Sequence, residues 1–400
     1  MTKRLLLIGA TTGYQTRVFA AAAERLGYEL VLATDRCHVL DDPWGDRAVA
    51  LRFEDPLGAA AVLAGQARVD GIVALGDLPA YIAALAAQRM GIQYDSPDSV
   101  AATRNKFAAR ERFRAAGLLV PEFNRVALSD PPERAAMQAN YPCVLKPLGM
   151  SASRGVIRAD NPAEFVAAFH RVNKIVAGQD QHLQVESFIE GREFALEGIL
   201  TGGELRVLAL FDKPDPLDGP FFEETIYVTP SREDPSTQNA IIRTAQAAVQ
   251  ALSLTHGPVH VEMRVNARGV WMLEVAARPI GGLCARVLPG LEELILRHAA
   301  DEAPGDLAMP TPAAGVMMIP IPREGIYVDV EGLDRARAEP GIEDVIVTAK
   351  QGQKLIPLPE GASYLGFIFA RAECAADAER ALRNAHRQLR FEIAMALPVA

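Results

Sequence analysis

Cysteine is scarce: Cys37, Cys143, Cys284 and Cys374 are the four in 400 residues, far apart and without a CxxC pair. That spacing excludes a disulfide framework or a cysteine-built zinc site and predicts reduced, unpaired thiols. No apolar run approaches the roughly 20 residues that cross a bilayer, so a membrane helix is not expected. The opening MTKRLLLIGATTG has two basic residues before a short apolar run, but the run leads into a glycine turn, which reads as a first strand rather than a secretory signal. Positive charge is not in excess either. With 41 Lys and Arg against 50 Asp and Glu, the formal charge is -9. Such a chain is not a general nucleic-acid or membrane-surface binder, and any phosphate ligand must be held by a local basic cluster. The Walker A spacing and the full GxGxxG are missing, as are internal repeats and low-complexity segments. The cytoplasm is the expected location.

What is present is a globular composition, 50% hydrophobic and 23% charged, long enough for two or three domains. The first hundred residues alternate apolar strands (RLLLIGA, ELVLATD, DGIVALGD) with helices starting near Gln15, after Pro56 and over Ala80 to Arg89, a βαβ pattern. GATTG could seat a phosphate at a helix N-terminus, or be a plain tight turn. In SPDSVAATRNKFAARERFRAAG, Ser96 is a candidate N-cap and Pro97 a first helical residue, predicting one long helix that stops at Gly117. From Val120 the chain turns β-rich around one helix near Pro162 to Val176. Two hairpins follow, turning at Gly202-Gly203 and at Asn266 to Gly269, with a helix over Ser236 to Leu252 between them. Strands in AAGVMMIPIP, EDVIVTAK and SYLGFIFARA precede a helix over Ala375 to Met395. The expected division is 1–97, a βαβ unit; 98–190, a linking helix and small α+β unit; and 191–400, a larger α+β unit.

Three constellations carry chemistry. In CVLKPLGMSASRGV, Lys146 ends an apolar strand beside a loop of small residues, Ser151, Ser153 and Gly155 among them, with Arg154 as a second cation. Such loops let backbone N–H groups approach phosphate oxygens, although a flexible surface loop accounts for this stretch about equally well taken alone. In HVEMRV and WMLEVAARP, strand alternation puts His260, Glu262 and Arg264 on one face and Glu274, Ala276 and Arg278 on one face of the partner strand. Carboxylates meeting across a ladder repel unless a divalent cation lies between them; the bland alternative is a solvated face of ion pairs. In QVESFIEGREF, a strand leaving a unit could offer backbone groups to an adenine edge and an acid to ribose, or be a surface loop with two acids. His260 is either a substrate or phosphate contact or a hydrogen-bonded structural histidine. Asp212, Lys213 and Asp215 precede a proline-containing loop that either covers a substrate or is a solvated turn.

In this order, Lys106, Lys146 with its loop, Glu186 to Ile189, Glu193, Glu262, Glu274 and Arg278 resemble the motifs of the ATP-grasp superfamily over about residues 98 to 300. The N-terminal βαβ segment resembles the Rossmann-like pre-ATP-grasp domain of these enzymes. FFEETIYVTPS, GPVHVEMRV and EVAARPIGG look most like the L-amino-acid (dipeptide) ligases, which join a carboxylate to an amine. Two departures stand out: Tyr227 lies where some relatives place a histidine, and Ala276 replaces the asparagine that many grasp enzymes have in the second metal strand.

The resemblance implies an α/β and α+β ATP-grasp fold, with ATP and Mg²⁺ (Mn²⁺ as a substitute) as cofactors. It places Lys106, Lys146, Ser151, Ser153, Arg154 and Gly155 at the phosphates and Glu186, Ser187, Phe188, Ile189 and Glu193 at the nucleoside. Glu262 and Glu274 would hold metal. Glu224, Tyr227, His260, Arg278, Gly281 and Gly282 would contact substrate, with Lys146, Arg278 and the Gly281–Gly282 backbone assisting chemistry. The implied partners are small-molecule carboxylates and amines, amino acids above all, in a homodimeric enzyme. Two alternatives stand beside this reading: a carboxylase or nucleotide-biosynthesis enzyme activating bicarbonate or formate, and a regulatory nucleotide-binding protein without chemistry.

Overall fold

The computed structural model describes residues 2–10, 15–35, 48–66, 68–303, 305 and 313–395. Residues 11–13 of the GATTG turn and Cys37 lie outside them. Among the described residues, no helix is long and apolar enough to cross a membrane, and Cys143, Cys284 and Cys374 are free thiols.

The N-terminal strands Arg4–Gly9, Glu29–Thr34, Ala48–Ala50 and Gly71–Leu75 form a parallel sheet with Arg4–Gly9 central. Its strands are near-continuous apolar runs because helices cover both faces. Helix Asp77–Met90 starts three residues earlier than the sequence pattern placed it, directly after the last strand of this sheet. Asp77 therefore stands at the strand's C-terminal end.

The predicted long helix is two. Pro97–Thr103 is capped by Ser96, as expected, but Lys106–Ala115 begins anew behind Asn105, whose side chain accepts the Ala108 N–H at 3.1 Å. An asparagine that satisfies a first-turn donor restarts a helix more favourably than it continues one. The break puts Lys106 in the first turn, its N–H donating to the Leu148 carbonyl at 3.1 Å.

Strands Phe123–Ala127, His182–Ser187, Cys143–Pro147 and Ile157–Ala159 make a four-stranded antiparallel sheet. Helix Pro162–Val176 packs on it as predicted, Asn161 capping its start, together with a short helix, Pro132–Gln138, that the sequence pattern did not separate from loop. Eight strands form the large sheet, ordered Gly269–Ala276, His256–Asn266, Arg192–Thr201, Glu204–Lys213, Ile226–Thr229, Ala313–Ile319, Gly366–Ala372, Ile342–Val347. Both predicted hairpins are there, closed by the pairs Thr201–Glu204 and Asn266–Gly269.

Alternation along Arg192–Thr201 divides the large sheet's two faces. Phe194, Leu196 and Leu200 pack with helix Pro235–Ala251, while Ala195 and Ile199 join the opposite core with Phe211, Ile280 and Leu291. Glu193 and Glu197 share the parity of Ala195, so the acids stand on the face away from that helix.

The C-terminal helix is shorter than expected. It spans Ala375–Gln388, and the chain then forms a strand, Arg390–Ala394, which pairs with Gly325–Glu331 in a small three-stranded sheet. RFEIA alternates at a period of two, and edge pairing outweighs continuation of the helix.

Candidate active site

A cleft of about 410 Å³ opens where four parts of the chain meet. Gln15 and Asp77 come from the N-terminal unit, Lys146 to Ser153 and Glu186 to Ile189 from the four-stranded sheet, Glu193, Glu262 and Glu274 from the large sheet, and Ala362 to Tyr364 from the C-terminal region. The last of these carried no motif in the sequence.

The phosphate-loop residues divide. Lys146 reaches the cleft floor, its Nζ 2.6 Å from Glu186 Oε2, and Arg110 Nε lies 2.6 Å from Glu186 Oε1. Burial lowers the Lys146 ammonium, assisted by Arg110 and Lys106, against the pull of Glu186. Glu186 is itself 2% exposed; burial would raise its carboxyl, but Arg110 and Lys146 hold it down to about 2. Glu186 is thus an anchor beneath Lys146. Lys106 Nζ donates to the Met150 carbonyl at 2.5 Å and sits 3.4 Å from Glu274. Ser151 and Ser153 line the cleft, and Ala152 and Ser153 both adopt left-handed backbone (φ 55° and 54°), a conformation that non-glycine residues hold only under constraint. Arg154 and Gly155 supply part of that constraint and do not line the cleft: Arg154 Nε donates to the Glu360 carbonyl at 3.0 Å and the Gly155 N–H to the Pro359 carbonyl at 2.9 Å. The expectation that Arg154 faces phosphate is corrected accordingly. Its guanidinium is drawn to the C-terminal segment.

Around Glu186 to Ile189, the N–H groups of Ser187 and Phe188 are already committed to the Glu122 and Pro142 carbonyls, at 2.8 and 2.9 Å. The Ile189 carbonyl accepts from Arg264 at 2.7 Å. The guanidinium groups of Arg158 and Arg264 both lie over the Phe188 ring, 4.3 and 5.1 Å from its centre.

On the large sheet, Glu262 and Glu274 are direct cross-strand partners, and a bulge after this pair turns both Leu273 and Glu274 into the cleft. Lys213 carries the largest correction. Read from sequence as a turn or cover residue, it is 6% exposed, with Nζ 3.0, 2.6 and 2.9 Å from Glu193, Glu224 and Glu262. Burial disfavours its charge, yet Glu224 and Glu262 keep the ammonium well above its ordinary value. Burial pushes the Glu224 carboxyl up to about 7 against Lys213, with Glu262 adding to the rise. Burial would raise Glu262 as well, but Lys213 and His260 hold its carboxyl well below the ordinary range.

His260 is placed by ladder pairing opposite Glu197. Its Nδ1 bonds Glu197 Oε1 and its Nε2 lies 3.3 Å from Glu262 Oε1, while Glu197 Oε2 accepts the Ile280 N–H at 3.0 Å. Burial would lower the imidazole, but Glu197 raises it to about 9 from 6.5. The protonated pair therefore contributes its full stability below about pH 6.5 and loses it as pH climbs through 9. Thermal melts of the wild type and His260→Asn are expected to differ most below pH 6.5 and to converge by pH 9.5; a gap constant across that range contradicts the charged pair.

Arg278 is locked by Asp77, Nε to Oδ1 at 2.8 Å, and Gln15 Nε2 donates to the Ile280 carbonyl at 2.5 Å. Two residues of the N-terminal unit thus hold the Arg278–Gly282 segment. Gly282 has φ 61°, and a Cβ there would come within 3.2 Å of Phe367. Tyr227 is 2% exposed, its ring 5.0 Å from Lys213 Nζ. Sequence reasoning missed Arg110, Asp77, Glu197 and Gln15. Glu197 alone left a signal, as an acid inside the apolar strand EFALEGIL.

Comparison with known proteins agrees with this geometry. The ATP-grasp domain family matches residues 139–287, and L-amino acid ligase C-terminal domain 2 matches residues 317–394. Residues 139–287 thus match an ATP-grasp domain, and the chain has the ATP-grasp fold. The second match sets the chain beside the L-amino acid ligases. The solved L-amino acid ligase from Bacillus licheniformis superposes with a TM-score of 0.83 at 25% identity, covering 98% of this chain and 99% of that one. Alanine–anticapsin ligase of Bacillus subtilis is 26% identical over 55% of this chain and 50% of its own length. Dapdiamide A synthase of Enterobacter agglomerans is 26% identical over 64% of this chain and 58% of its own. The chain thus spans 50% and 58% of the length of these two curated relatives. N5-carboxyaminoimidazole ribonucleotide synthetase from Thermotoga maritima, at 16% identity and a TM-score of 0.73, shares the fold.

Proposed function

We propose that the protein is an ATP-dependent carboxylate–amine ligase that forms an amide bond between amino-acid substrates through an acyl phosphate, releasing ADP and phosphate. The observation that carries this is the pairing of Glu262 with Glu274 on one wall of the cleft that Lys146, Lys106 and Arg278 also face. Binding a nucleotide base alone calls for no opposed carboxylates, so a purely regulatory reading leaves them unexplained.

The residues fit a divalent cation. Two carboxylates face each other across a ladder and are at present balanced by Lys106 and Lys213, and hard oxygen donors suit Mg²⁺. When bound, Mg²⁺ would neutralise developing charge on the transferred phosphoryl group. The chain's own residues do the rest. Lys146 and Lys106 bring positive charge to the phosphates, the cleft-lining Glu186 to Ile189 segment borders the base, and the 151–153 segment, with Ala152 and Ser153 in left-handed backbone, covers the reacting groups from water. The substrate carboxylate attacks the γ-phosphorus, and the amine then attacks the acyl carbon, expelling phosphate. Arg278, fixed by Asp77, and the backbone at Gly281 and Gly282 face the oxyanion of that second step. Glu224, its carboxyl pushed up by burial, faces the same space.

The test is release of ADP and phosphate from MgATP across amino acids supplied singly and in pairs, with mass analysis of products. One pair that stimulates release and yields the corresponding amide supports the reading. Stimulation by bicarbonate alone, with no amide from any pair, would refute it.

A further inference from the structure

We propose that the ammonium of Lys213 is the built-in cation of a three-carboxylate cradle, closing it to divalent ions and confining metal to the Glu262–Glu274 edge of the cleft. Glu193, Glu224 and Glu262 each present a carboxylate oxygen, all within 4.8 Å of one another, a grouping able to hold a metal ion. Lys213 Nζ stands inside it, 3.0, 2.6 and 2.9 Å from the three. An ammonium has three N–H donors and no acceptor, so three carboxylates use it completely. A divalent ion bonded to the same oxygens would need contacts of about 2.0–2.6 Å, and the two cations cannot share the space.

The ammonium has no route out. The Lys213 side chain is 2% exposed, the residue pairs with Glu193 across the ladder, and Pro214 ends the strand behind it. The other Glu193 oxygen is taken by Arg264 Nε at 2.8 Å, which commits that carboxylate to cationic side chains. The Glu262 and Glu274 side chains keep 19% and 28% exposure at the cleft. Lys213 bonds only Oε1 of Glu224 and of Glu262, so it also positions their second oxygens. This inference concerns charge and space in the cradle and holds whichever substrates the enzyme takes.

Mn²⁺ binding to the nucleotide-free protein, followed by the EPR signal of the free ion, provides the test. Lys213→Ala is expected to bind one more Mn²⁺ per chain than the wild type, and Lys213→Arg to bind none extra. Adding Glu224→Gln to Lys213→Ala should weaken the new site by about tenfold or more. In the wild-type background Glu224→Gln should change Mn²⁺ affinity by less than about threefold. A folded Lys213→Ala protein with no added site overturns the proposal. So does a loss of about tenfold or more from Glu224→Gln alone, since the metal would then already use the cradle; this arm decides if Lys213→Ala fails to fold.

Discussion

Glu274→Gln is expected to lower ATP turnover by roughly 10²–10³-fold, the size of effect seen when one electrostatic stabiliser of a transition state is removed. The substitution keeps shape and hydrogen-bonding capacity, and Glu274 sits at 28% side-chain exposure with one ion pair, to Lys106 at 3.4 Å, so the fold should stand. What goes is one of two opposed negative charges. With Glu262 alone the site holds a divalent cation weakly, and the triphosphate loses its partner for charge neutralisation. Nucleotide binding, measured with a fluorescent analogue, should suffer far less than turnover. Turnover within about tenfold of the wild type would place the metal elsewhere.

The second large effect is on stability. Arg110→Met is expected to destabilise the protein by about 3–5 kcal/mol, because it removes one partner of a buried ionic group and leaves the other with less compensation. Arg110 is 1% and Glu186 2% exposed, and they meet at 2.6 Å. Lys146 remains as a partner of Glu186, but it reaches into the cleft and is more exposed, at 15%. Urea denaturation at pH 7 measures the loss. The depressed Glu186 carboxyl sets the pH dependence. Its folded value is about 2 against an ordinary 4.5, so the ionised triad stabilises fully above pH 4.5 and its contribution fades as pH falls towards 2. The difference between wild type and Arg110→Met should therefore be widest above pH 4.5 and shrink below it. A difference under about 1 kcal/mol at pH 7 would mean that the triad is as solvent-screened as a surface pair.

These two predictions mark how far the sequence could be read. Glu274 was legible because strand alternation fixes which side chains share a face, and hairpin closure at Asn266–Gly269 fixes what lies opposite. Lys146 was legible from the small-residue loop after its strand. Arg110 was not: inside a helix carrying several arginines, a buried arginine and a solvated one look alike. Asp77 and Gln15 act on Arg278 and Ile280, 201 and 265 residues away, contacts that depend on how the N-terminal unit docks. Lys213 was misread for a related reason. A lysine before Pro-Asp-Pro suits a solvated turn, and only the convergence of three acids from separate segments makes its burial favourable. Local patterns thus gave the elements and several of the charged side chains that line the cleft, whereas the ion pairs that hold the cleft in shape come from long-range packing.

The most direct test of the account follows an oxygen atom. Once a competent pair is known, the acyl donor would be supplied with ¹⁸O in its carboxylate and the released phosphate analysed by mass. An acyl-phosphate route transfers one ¹⁸O from each donor carboxylate to phosphate, leaving the other in the amide. Unlabelled phosphate accompanying amide formation, or label appearing in AMP, would contradict the route proposed for Lys146, Glu262, Glu274 and Arg278.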